Sequence, residues 1–126
     1  MVIGNLLLYV SGHCLADTSL QTDAMAKGKS RHTPIDPARV PVGQKPLKLW
    51  YHWLTHHAMV QALVAFLVTY LITRNMTVSY MIGGLELVFH WGIDFCKCDN
   101  YTTPNQDQAL HIATKILYCF IIGGVK

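Results

Sequence analysis

Charge is what this sequence has least of. Only 13% of its 126 residues are Asp, Glu, Lys or Arg, against about a quarter in soluble domains. That scarcity argues against a soluble domain. The formal net charge of +3 is too small to mark a nucleic-acid-binding surface, so no nucleic acid is expected as a partner. Paired cysteine motifs are missing too. Cys96 and Cys98 have one residue between them, and Cys14 and Cys119 stand alone. This spacing excludes a CxxC motif and a zinc knuckle, and no disulfide framework is expected. No Lys or Arg precedes Lys27, so the apolar N-terminus lacks the positive start of a signal peptide and reads as a retained span. Internal repeats and low-complexity tracts are absent. Gly83-Gly84 and Gly123-Gly124 allow close helix approach, but neither makes GxxxG.

Long apolar runs are plentiful. They cover about residues 2–20, 50–73, 78–95 and 109–125, with the cleanest stretch at 58–72. A bilayer-spanning helix needs about 20 residues. The expected fold is therefore all-α: one integral membrane domain over residues 1–126, built as an up-down four-helix transmembrane bundle. Residues 21–48 hold Pro34, Pro37, Pro41 and Pro46, which rule out a continuous helix there and predict an extended loop on the membrane surface. The link at 74–77 is short and implies an antiparallel hairpin. The link at 97–106 contains Pro104, and Asn105 is the expected cap of the last helix, with Asp107 in its first turn.

Basic residues set the orientation. Lys27, Lys29, Arg31, Arg39, Lys45 and Lys48 lie in the long loop, whereas the other side has only Arg74 and Lys126. The positive-inside rule puts that loop in the cytoplasm and both termini on the opposite side of the inner (plasma) membrane. Trp50, Tyr51, Trp53 and Trp91 suit the interfacial belt on the loop side. His52 and His56 read as interfacial residues as well.

Polar residues inside the spans follow one rule. His13 and Asp17, His90 and Asp94, and Asp107 and His111 are each spaced i, i+4, so each pair shares a helix face. His57 joins them from the second span. All fall in the halves nearest the basic loop. An ionisable group in a span costs about 2.5–3.5 kcal/mol on insertion scales, so such groups must be paired, hydrated or bound to a metal. His13, Asp17, His57, His90, Asp94, Asp107 and His111 are candidate ligands for one or two divalent ions, zinc among them. Gln21, Gln61 and Gln108 are placed to orient those ligands. Glu86 and Lys115 extend the same faces to mid-membrane, where an ion pair is expected. Lys97 offers a cation for a phosphate or lipid headgroup, or simply caps its helix and sets topology.

Three functions fit. One is a metal-binding membrane protein with hydrolase activity, in which the ion activates water, Asp94 or Asp107 acts as base and Lys97 binds the anionic group. Another is a non-enzymatic component whose His/Asp pairs hold together the bundle or a homo-oligomer. The third is proton or metal conduction. Only Thr77 and Ser79 continue a polar path beyond Glu86 and Lys115, which argues against a pore.

The order of motifs resembles the domain of unknown function 3307 family. His13, Asp17, Gln21, Asp23, Met25 and Lys27 follow its opening signature. His57-Ala58, His90 with Asp94 and Lys97, and Asp107-Gln108 with His111 follow the rest. Thr18 departs from the aromatic residue usual there, and the Pro-rich loop is longer than usual. The resemblance implies a small membrane protein of bacterial or tailed-phage origin. It supplies architecture rather than a reaction. In a phage, envelope modification or superinfection exclusion would suit the non-enzymatic reading.

Overall fold

The computed structural model describes residues 2–36, 38, 40–45 and 49–124. The chain is all-α, with no strand among the described residues. The helices are α1 (Val2–Thr18), α2 (Asp23–Gly28), α3 (Trp50–Thr73), α4 (Met76–Cys98) and α5 (Pro104–Gly124). Both α1 and α4 pack on α3 and α5, so the four long helices close a ring.

Local chemistry sets each boundary. Arg74 adopts a left-handed φ of 54° and its N–H bonds the carbonyl of Tyr70, which stops α3. Asn75 is extended, and its side chain accepts from the Val78 N–H, which starts α4. The hairpin link is thus shorter than expected, and α4 begins at Met76. At α5 the cap is Thr103 rather than Asn105. Thr103 Oγ1 accepts from the Gln106 N–H at 3.3 Å, and Gln106 Oε1 accepts from the Thr103 N–H at 2.9 Å. This reciprocal capping box leaves Pro104 at the first helical position, where its missing N–H costs nothing.

The long loop also departs from expectation. Its first part is not extended along a surface. Thr22 caps α2 through the Met25 N–H, Asp23 sits in the first turn, and the first proline comes only at Pro34. Helix α2 packs on α3. A Cβ on Gly28 would lie 2.5 Å from the Trp53 ring, so only glycine permits that approach. Pro37, Arg39, Pro46, Lys48, Val125 and Lys126 lie outside the described residues. Of the paired glycines, Gly83 is the one that brings helices close: its Cβ would lie 3.2 Å from the Ala62 carbonyl, whereas Gly84, Gly123 and Gly124 face open space.

The interior has two tiers. Far from the long loop, Tyr9, Ala65, Ile82, Tyr118, Cys119 and Ile122 form an apolar core. Near the loop, the interior is polar. Outside, the pattern reverses: Leu7, Leu63, Leu71, Val88, Ile116 and Phe120 are exposed. Helix α3 is long and apolar enough to cross a membrane. Helix α1 has 17 residues, which at about 1.5 Å each reach about 25 Å, short of a roughly 30 Å hydrocarbon core. Helices α4 and α5 carry Glu86, Asp94, Lys97, Asp107 and Lys115 along their length. By length and composition, the expected four spans therefore reduce to one candidate among the described residues.

Candidate metal centre

The polar tier gathers one face from each long helix. Helix α1 contributes His13 and Asp17, α3 His57 and Gln61, α4 Glu86, His90 and Asp94, and α5 Asp107, His111 and Lys115. All are buried except Asp17, which is half-buried. The seven residues expected as ligands thus come together. His52 and His56 are exposed and take no part.

At the foot of the cluster, Lys115 Nζ lies 2.6 Å from both oxygens of Glu86. Ion-paired in this way, Glu86 can only accept hydrogen bonds. Its Oε1 is 3.2 Å from His90 Nδ1, so His90 carries its proton on Nδ1 and leaves the Nε2 lone pair free. That lone pair points at His57 Nε2, 3.0 Å away. His57 Nε2 in turn lies 3.0 Å from Asp17 Oδ1 and 3.4 Å from Asp94 Oδ2. Two imidazole nitrogens and two carboxylate oxygens therefore converge, with Gln61 Nε2 donating to Asp17 Oδ1 and Lys29 Nζ donating to Asp94 Oδ2 from outside.

The same deduction applies to His13. Gln61 donates its amide to Asp17 Oδ1 at 3.1 Å, so its carbonyl Oε1 faces His13 Nδ1 at 3.2 Å. His13 is thereby protonated on Nδ1, and its buried Nε2 has a lone pair with no hydrogen-bond partner. His57 Nδ1, His111 Nδ1 and Asp107 Oδ1 are likewise buried without one. Among the described residues, three groups bring their ligand atoms within 4.8 Å of one another: His13, His90 and His111; Asp17, His57 and His90; and Asp94, Asp107 and His111.

Lysines close the cluster at the loop end. Lys97 Nζ is 2.9 Å from Asp107 Oδ2, and Gln108 donates to the same oxygen at 3.1 Å. Lys29 was not foreseen as a member. It reaches in from the end of α2 to Asp94 Oδ2 at 2.6 Å and to Gln21 Oε1 at 2.9 Å. Gln21 itself donates to the Asp17 carbonyl. Charge balance was the available signal: Asp17, Glu86, Asp94 and Asp107 outnumber Lys97 and Lys115, which leaves room for a further cation from the basic loop. Just outside, Arg31 and His32 pair with Asp99 at the end of α4, fastening the start of the loop to the bundle.

The sequence model of a family described as "Protein of unknown function (DUF3307)" matches residues 5–124. The chain belongs to the DUF3307 family. The match covers all five helices but the first turn of α1, and every cluster residue of this family member lies within it. No curated protein and no solved structure matches the chain.

Proposed function

We propose that this DUF3307 protein is a polytopic membrane protein that holds a divalent cation in its His/Asp centre. The apolar exterior and polar interior support the membrane part. All four long helices would cross the bilayer together, as one bundle that shields Glu86, Asp94, Asp107 and Lys115 from lipid. The loop end would face the cytoplasm, by the bias of its basic residues.

One observation carries the cation reading. Glu86 fixes His90 so that its Nε2 lone pair faces His57 Nε2, with Asp17 Oδ1 and Asp94 Oδ2 around the same point. Carboxylate–histidine pairs of this kind orient metal ligands. The 3.0–3.4 Å separations around His57 Nε2 are close to the roughly 3.3 Å ligand–ligand edge of a tetrahedral site with bonds of about 2.0–2.1 Å. The ligand set is complete within one chain, so the reading requires no second copy. Hydrolysis would extend it: the ion would supply Lewis-acid activation of water, Asp107 or Asp94 would serve as base, and the partly exposed Lys97 would bind an anionic group arriving from the loop end.

A second reading is structural. Lys29, Lys97 and Lys115 already pair with Asp94, Asp107 and Glu86, so the cluster also works as interhelical glue. Thermal unfolding of detergent-purified protein separates the two. With a chelator, the cation reading expects a lower midpoint, restored by adding back divalent metal. An unchanged midpoint favours glue.

A further inference from the structure

We infer that the centre is binuclear, with the Asp94 carboxylate bridging two divalent cations. The inference rests on the cation reading above and goes beyond it in number and arrangement. The two oxygens of Asp94 face different ligand sets. Oδ2 is 3.4 Å from His57 Nε2 and 3.8 Å from His90 Nε2, and Asp17 completes that set from α1. Oδ1 is 3.4 Å from His111 Nε2, and Asp107 Oδ1 is 3.5 Å from the same nitrogen. Asp94 is a member of the second set and reaches towards the first through Oδ2, which Lys29 Nζ holds at 2.6 Å.

The second set is only loosely hydrogen-bonded: His111 Nε2 meets Asp94 Oδ1 at 3.4 Å. A charge-assisted N–H···O bond closes to about 2.7–2.9 Å. Here one imidazole nitrogen stands 3.4 and 3.5 Å from two carboxylate oxygens, the edge length of a coordination polyhedron. Asp107 Oδ1 is fully buried and has no hydrogen-bond partner, although Oδ2 of the same carboxylate is bonded by Lys97 and Gln108. One oxygen is thus held and the other left for a cation. Two-metal sites place their ions about 3.5–4 Å apart, a separation that a bridging carboxylate spans. The added positive charge falls at the loop end. There the Lys29 ammonium must leave Asp94 Oδ2 for the bridge to form, while Lys97 is already partly exposed.

Manganese content and electron paramagnetic resonance of detergent-purified, Mn²⁺-loaded protein test this. The expected result is about two ions per chain with a spin-coupled spectrum. Asp107→Asn, which keeps the side-chain shape, should fall to about one ion and show the isolated-ion pattern; His111→Ala should do the same. Asp17→Asn should also leave about one ion, by emptying the other set. One ion per chain in the unaltered protein, or two without coupling, would overturn the bridge while leaving the cation reading intact. No bound ion would overturn both.

Discussion

Glu86 has two neighbours with opposite demands. It neutralises Lys115 and at the same time fixes the His90 proton. Removing one partner of a buried pair costs about 3–5 kcal/mol, because the other charge is stranded, whereas replacing both by apolar groups is often neutral. Glu86→Gln should therefore lower stability by about that amount, and Glu86→Gln with Lys115→Met should recover most of it. Denaturation in detergent checks this; equal damage from the single and double variants would contradict the pairing. Gln61→Leu should weaken divalent-metal binding by about 10–100-fold, since Gln61 orients both Asp17 and His13. Equilibrium metal titration reads that change. At this scale much was legible: spacing i, i+4 alone placed three His/Asp pairs on inward faces. Lys29 was not legible as a cluster residue, because a basic residue in a polar loop has no period to reveal which way it points.

Helix α2 was hidden for a related reason. Six residues are too few for an amphipathic pattern, and four prolines downstream suggested an extended chain. What holds α2 is tertiary: Gly28 against Trp53, and Lys29 against Asp94. Gly28→Val should push α2 away from α3 and detach Lys29. Amide hydrogen exchange over residues 23–29 should rise while exchange in α3 and α4 stays unchanged. The capping box of α5 was readable in outline, since Pro104 and Asp107 marked the helix start. The cap was assigned to Asn105 because the reciprocal bond between Thr103 and Gln106 needs the actual turn geometry. Thr103→Ala should cost about 1 kcal/mol, measurable as a lower unfolding midpoint.

Taken whole, the molecule exposes many leucines, keeps an apolar core in its far half, and buries histidines, carboxylates and lysines in its loop-end half. The four-helix layout followed from the apolar runs, and the 50–73 run coincides with α3. The membrane assignment is less direct. Three of the long helices are shortened or interrupted by the polar groups that form the centre, so each alone falls short of a span. If the bundle crosses as a unit, the protein should resist alkaline extraction from membranes. A cysteine introduced at Gly43, in a variant lacking the native cysteines, should react with an impermeant thiol reagent only after the cytoplasmic side is opened.

The metal content of protein purified in detergent without added metal tests the central claim most directly. Stoichiometric divalent metal, lost in His57→Ala and His90→Ala variants that still fold, is the expected result. Metal-free protein that binds none when divalent ions are supplied would contradict it.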